Sequence, residues 1–213
     1  VPTAVIPNPF PVPAQGIDLT DELLNHVLFV GRFDHIKGGD LVVEAFALIA
    51  AAHPTAQFTF AGPDVGLPRA EGGMDMLSDR LARLPKPIRS RIRAVGKQSR
   101  DEVAALRAQH GVTLVASRYE NFGGTLIEAM AAGSAVVCTR VGGLQEIATD
   151  EETALLVPPE DPRAMAEACL RLMGDHNLAR RLGKAARRHV ADCYAPEAIA
   201  RRMADFLTLV LRA

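Results

Sequence analysis

The chain has 213 residues, 48% of them hydrophobic, enough to bury a sizeable core as a single domain. A formal net charge of −1 gives no electrostatic reason to expect nucleic acid or an anionic membrane surface as partner, and neither a membrane span nor a secretory leader is expected. The three cysteines, Cys138, Cys169 and Cys193, are far apart and lack metal-ligand spacing; Cys138 in an apolar run and Cys169 in a helical stretch are expected to be buried thiols, in a reducing compartment, the cytoplasm.

The chain opens at Val1 on a proline-rich stretch (Pro2, Pro7, Pro9, Pro11, Pro13), which reads as a linker-like start over residues 1–20. From there β-branched and apolar runs alternate with segments of helical period. A strand over Val27–Val30 is followed by a helix over Asp40–Ala52, a strand over Gln57–Ala61 and a helix over Asp75–Leu84. Next come a strand at Ile92–Val95, a helix at Asp101–His110, a strand at Val112–Ala116 and a helix at Thr125–Ala132. Ala135–Thr139 and Ala154–Val157 read as the last strands, with a short helix at Leu144–Ala148 between them.

After the last strand, Pro162 behind Asp161 starts a helix through Met173. Two more helices, Asn177–Asp192 and Pro196–Leu211, close a tail with no strand of its own to cover. The strands are too continuously apolar for a sheet with one wet face. The pattern therefore predicts an α/β domain: a Rossmann-like open parallel sheet of about six strands, helices on both faces and a helical tail. Two basic clusters read as solvated helix faces: Arg89, Arg91, Arg93 and Lys97, and Arg180, Arg181, Lys184, Arg187 and Arg188.

Glycine-rich and polar clusters fall just after strands, at Gly31-Arg32, Gly62-Pro63-Asp64, Gly96-Lys97, Ser117 to Gly124 and Arg140 to Gly143. In an open parallel sheet these junctions share the edge beyond the carboxyl ends of the strands, where ligands bind. Arg32 and Lys37 are two cations in one loop, suited to a pyrophosphate; alternatively they are a solvated charge and a loop ion pair. His35 beside them reads as a solvated turn residue.

The stretch from Ser117 to Ala131 carries Glu120 and Glu128 on either side of a glycine-containing turn that opens a helix. Such a helix entrance offers free amides and the positive end of the dipole to a phosphate, and flanking acids can accept from sugar hydroxyls. Thr125 and Glu128 also match a capping box, which explains Glu128 without any ligand; Ser99 and Glu102 form the same pattern, read there as a cap. Gly142-Gly143 is either another anion nest or a tight helix start. No Gly-x-Gly-x-x-Gly follows the first strand, which disfavours a dinucleotide fold.

Taken in order, these residues resemble the donor-binding, C-terminal half of a GT-B-type retaining glycosyltransferase, specifically glycosyltransferase family 4. The resemblance runs from Val5-Ile6-Pro7-Asn8 through Gly31-Arg32…Lys37-Gly38, Gly62-Pro63 and Gly96. It continues through Glu120, seven residues and Glu128-Ala129-Met130-Ala131-Ala132-Gly133 to Gly142-Gly143…Glu146-Ile147 and Leu155-Leu156-Val157-Pro158. The chain departs from the commonest pattern at Asn8-Pro9, Asn121, Gly124 and Ser134-Ala135.

The resemblance implies a nucleoside-diphosphate sugar of UDP, GDP or ADP type as donor, no tightly bound cofactor and no metal. By position it implies that Arg32 and Lys37, with Gly31, hold the diphosphate, and that Glu120 contacts the donor sugar. Amides from Phe122, Gly123, Gly124 and Thr125 would assist, Glu128 would bind ribose hydroxyls, and Gly96, Lys97 and Gln98 would lie against the base. It further implies an N-terminal acceptor-binding domain, met by the final helix, without which these 213 residues would bind nucleotide but not complete transfer. The acceptor, a sugar, lipid or small molecule, stays open, as does any contact with the inner face of a membrane through that domain. The alternatives are a non-catalytic nucleotide-binding or interaction domain, and a related GT-B phosphorylase or nucleotide-sugar epimerase.

Overall fold

The computed structural model describes residues 2–212; Val1, at the head of the proline-rich start, and Ala213 lie outside the described residues. After a 3-10 turn at Leu23–Asn25 come β1 (His26–Val30), α1 (Gly39–Ala52), β2 (Gln57–Ala61), a small hairpin of β3 (Leu67–Pro68) and β4 (Met74–Asp75), α2 (Leu77–Arg83) and α3 (Lys86–Arg89). Then follow β5 (Ile92–Gly96), α4 (Arg100–Ala108), β6 (Val112–Val115), α5 (Gly124–Ala132), β7 (Ala135–Thr139), α6 (Leu144–Ile147) and β8 (Leu155–Val157). Three helices finish the chain: α7 (Pro162–Gly174), α8 (His176–Tyr194) and α9 (Pro196–Leu211).

Six strands form one parallel sheet in the order β5-β2-β1-β6-β7-β8. The order reverses between β1 and β6, so the loops leaving their carboxyl ends diverge to opposite faces and leave a crevice. Successive side chains go to opposite cores. Val27, Phe29, Val112, Leu114, Ala135 and Val137 enter the core under α1 and α7, while Val136, Cys138 and Leu156 enter the one beneath α5 and α8. This two-sided burial is why the strands read as unbroken apolar runs. Cys138 and Cys169 are buried free thiols, as the sequence led one to expect, and burial is the main cause that pushes their pKa up to about 12.

Four readings of the sequence need correction. The tail does cover the sheet: α7 places Met165, Cys169 and Leu172 in the first core, and α8 runs from that core (Leu178, Leu182) into the second (Ala186, Val190). The start of the chain is fastened rather than linker-like. Phe10 N–H donates to the Tyr194 carbonyl at 2.7 Å, Ile17 N–H to Ala132 at 2.8 Å, and Arg187 to carbonyls of Ala131, Pro13 and Ala14. Arg187 is thus no solvated charge, and neither is Arg91, which donates to the carbonyls of Ala50, His53 and Pro54 and closes the last turn of α1. Asp75, expected to open a helix, stands in β4, where Arg69, Arg80 and Arg83 pair with it.

His110, just past α4, is buried between the Leu106 carbonyl (2.5 Å) and the Thr59 hydroxyl (2.8 Å). Burial pushes its pKa below the ordinary 6.5; the Leu106 carbonyl opposes this, while the charges of His26 and Arg93 add to it. The unfolded chain therefore takes up a proton first as pH drops, and stability is lost from about pH 6.5 downwards until the folded ring also protonates. Melting temperatures at pH 7.5 and 5.5 should fall further for the unaltered protein than for His110→Gln; equal falls would remove His110 as the cause.

Candidate functional site

The loop leaving β1 is held by Phe33, fully buried, whose N–H donates to the Pro63 carbonyl at 2.9 Å. Asp34 then organises the cations. Its carboxylate accepts from the Lys37 N–H at 2.7 Å and pairs with Arg32 Nε at 2.6 Å, leaving the Arg32 side chain 52% exposed at the rim. Gly38 ends the loop with φ +66, and a Cβ there would lie 2.1 Å from the Ala116 carbonyl oxygen. Only glycine allows this left-handed residue to sit against the end of β6. The cation loop and the loop after β6 are therefore neighbours by backbone contact.

Across that contact Lys37 Nζ meets Glu120 Oε2 at 2.5 Å, with the Ser117 hydroxyl 3.5 Å from the same oxygen. Arg118 adds a second fastening between the same loops. Its guanidinium grips both oxygens of Asp40 at 2.8 Å, donates to the His35 carbonyl at 2.8 Å and pairs with Glu160. The hydrogen bond that Arg118 donates to Asp40 is the largest influence on it and, with Glu160, holds its pKa above the ordinary arginine value against the effect of burial.

Gly123 takes the cap position of α5 with φ +80, so the helix begins at Gly124 and no side chain caps it. The capping-box reading of Thr125 and Glu128 is not realised, because the cap lies two residues earlier than that reading needs. At Ser99 and Glu102 the box does form. The opening amides of α5 thus have no side-chain cap, and a Cβ on Gly123 would stand 3.7 Å from Glu120 Cγ, an arrangement suited to an anion. Phe122 turns inward, with its ring 6.2 Å from that of Phe10 and 6.5 Å from that of Tyr194. Gly142 and Gly143 are a close approach, not a nest: Cβ atoms there would strike the Glu120 and Asn121 carbonyls, and Gly143 N–H already donates to Glu120.

Glu128 lies one turn further along α5, its carboxylate 44% exposed and paired with Arg107 of α4 at 3.0 Å. Arg107 is the functional candidate the sequence reading missed, and its side chain is only 5% exposed. Nη2 donates to Glu128 Oε2 and to the Thr125 carbonyl, whereas Nη1 is buried with no partner among the described residues. Burial is the largest influence on Arg107 and lowers its pKa, opposed by the charge and hydrogen bond of Glu128. A usable signal existed, since Arg107 falls on the stripe Val103, Leu106, Arg107, His110, the inward-facing spacing of a helix.

Arg107 and Glu128 line a cavity of about 730 Å³, together with Gln98, Val30, Phe10 and Ala131. Val30 directly precedes Gly31, and a Cβ on Gly124 would stand 3.6 Å from the Phe10 ring, so the cavity adjoins the entrance of α5. Lys37 and Glu120 thus meet beside Gly123, with Arg32 tied to the same loop through Asp34, while Glu128 and Gln98 line the neighbouring cavity. Gly96 and Lys97 do not: they are exposed at the edge strand, and Gln98 spends its amide on the carbonyls of Val95 and Lys97. Among the described residues, no three His, Cys, Asp or Glu side chains are placed to hold a metal ion.

Comparison with known proteins places this geometry. The family model described as glycosyl transferases group 1 matches residues 17–189. D-inositol 3-phosphate glycosyltransferase of Streptomyces avermitilis is 31% identical over 87% of the chain and 40% of its own length. Sucrose-phosphate synthase of Thermosynechococcus elongatus superposes with a TM-score of 0.74 at 32% identity, over 98% of this chain and 53% of that one. The Anabaena HepE structure in complex with UDP shares the fold at 19% identity, with a TM-score of 0.72 over 86% of this chain and 48% of its own. The chain thus spans about 40% of the curated Streptomyces relative and about half of each structural one.

Proposed function

The chain belongs to the glycosyl transferases group 1 family, and from that premise we propose that it is the donor-binding half of a GT-B retaining glycosyltransferase of family 4. Its substrate is a nucleoside-diphosphate sugar, and the sugar passes to an acceptor hydroxyl with retention at the anomeric carbon. The observation that carries this reading is the meeting of Lys37 and Glu120 at the uncapped entrance of α5. A cation, a carboxylate and free amides at one crevice suit the junction of a sugar with a diphosphate.

In this reading the β-phosphate lies against the amides of Gly123, Gly124 and Thr125, and Lys37 and Arg32 turn from their carboxylates to its oxygens. As the anomeric C–O bond breaks, the electron pair stays on the phosphate, and the two cations and the helix entrance stabilise that growing charge more than the ground state. Glu120 orients the sugar hydroxyls, and Glu128 accepts from the ribose in the adjoining cavity. The exposed apolar residues of α9, among them Met203, Leu207 and Val210, would meet the acceptor-binding domain. Free buried cysteines accord with a cytoplasmic enzyme of glycan synthesis; no helix among the described residues is long and apolar enough to cross a membrane. No side chain at the crevice favours a phosphorylase, an epimerase or a non-catalytic module.

Calorimetric titration in EDTA with UDP first, then GDP and ADP, tests the proposal. One of the three should bind without magnesium, while NAD and FMN do not. Failure of all three to bind would overturn it.

A further inference from the structure

We infer that Arg107 is a second reader of the nucleoside: it sets the Glu128 carboxylate through Nη2 and, through Nη1, donates to a ribose hydroxyl oxygen. The inference rests on the nucleotide-sugar reading of the site. Three observations carry it. Arg107 is buried yet lines the cavity beside Glu128 and Gln98. Its Nη2 is engaged twice, with Glu128 and with the Thr125 carbonyl in the first turn of α5, so the fork is held in one orientation. Nη1 is left buried without any acceptor among the described residues.

A guanidinium that served only as internal structure would have both prongs engaged, because an unpaired buried donor is costly. The cavity that Arg107 lines can supply the acceptor Nη1 lacks, and that group must carry a lone pair, since guanidinium only donates. Glu128 only accepts. Side by side, one donor and one acceptor match a hydroxyl, which offers a hydrogen to the carboxylate and lone pairs to the arginine. A ribose diol adjoining a diphosphate at the α5 entrance supplies such groups; a deoxyribose supplies one fewer. The pair is therefore assigned as the element that distinguishes ribonucleotide from 2′-deoxyribonucleotide, and the second half of that recognition belongs to Arg107.

The test is titration of UDP, GDP and ADP, each beside its 2′-deoxy counterpart, into the unaltered protein and into Arg107→Met, Arg107→Lys, Glu128→Gln and Arg32→Ala. The unaltered protein should prefer the ribonucleotide by about tenfold or more. Both Arg107 variants should lose that preference, as Glu128→Gln does, while Arg32→Ala weakens both nucleotides and keeps it. Should Arg107→Met fail to fold by circular dichroism, Arg107→Lys, which keeps the charge and loses the fork, carries the test. Full ribose preference in the folded Arg107 variants, or none in a protein that binds nucleotide, overturns the inference and leaves the proposed function standing. Absence of any nucleotide binding by the unaltered protein overturns both.

Discussion

Arg118→Met is expected to cost about 3 kcal/mol of folding stability, the low end of what removal of one partner from a buried pair costs. Arg118 and Asp40 are each 12% exposed, and the fork engages both carboxylate oxygens at 2.8 Å. Without it Asp40 keeps its charge in a place with little water, eased by the amides at the start of α1 and by the charge of Arg80. The lost arginine also frees the His35 carbonyl and Glu160, so the loops after β1, β6 and β8 lose their common tie. Burial alone would raise the pKa of Asp40, but the hydrogen bond and charge of Arg118 outweigh it and hold the pKa below the ordinary 3.8. Stability from the pair is therefore complete above about pH 4 and lost as pH falls through the folded value. Denaturant unfolding should show the gap between the two proteins at pH 7 and its narrowing at pH 3. The double variant Arg118→Met/Asp40→Leu should recover much of the loss, because no charge is then stranded. A single variant as stable as the unaltered protein would show the pair to be incidental.

Arg32→Ala combined with Lys37→Met should weaken nucleoside diphosphate binding by about a hundredfold or more, since each charge-assisted hydrogen bond is worth roughly 1.5–3 kcal/mol. Both cations leave the same loop, yet their positions differ. Lys37 is 27% exposed and already held over the entrance of α5 by Glu120, whereas Arg32 is 52% exposed and tied only to Asp34. Lys37→Met alone should therefore cost more than Arg32→Ala alone, the exposed arginine being more screened by water. The uncharged nucleoside should bind the double variant nearly as before. Calorimetry with the diphosphate and the nucleoside checks this, and equal weakening of both ligands would show a general collapse of the crevice instead of a lost phosphate contact.

The sheet was legible because burial on two faces writes itself into the sequence. Runs such as Val112–Val115 and Ala135–Thr139 have no polar alternation to confuse them, and each lies within one residue of its expected bounds. What escaped had no period to read. The hairpin of Leu67–Pro68 with Met74–Asp75 is two residues a side, and its register depends on Arg69 and Arg80 reaching Asp75. The anchoring of residues 10–17 comes from Arg187 and from the Tyr194 carbonyl, partners that only the folded chain brings near. At the site, the cations and the glycine turn were legible from their order after two strands. Glu128 was read as a capping residue or a ligand-binding acid, but its partner in the fold was not foreseen: the cap lies at Gly123, and a buried arginine on α4 takes the carboxylate. Arg107 was not singled out in the sequence, although its place among Val103, Leu106 and His110 set it facing inward.

A structure of the protein with its nucleoside diphosphate bound would test the central claim most directly. The account predicts the β-phosphate within hydrogen-bond reach of the Gly124 and Thr125 amides and of Lys37 Nζ, with the pentose between Glu128 and Arg107. A nucleotide seated elsewhere, for instance among Arg69, Arg80 and Arg83, with the crevice between β1 and β6 left empty, would contradict it.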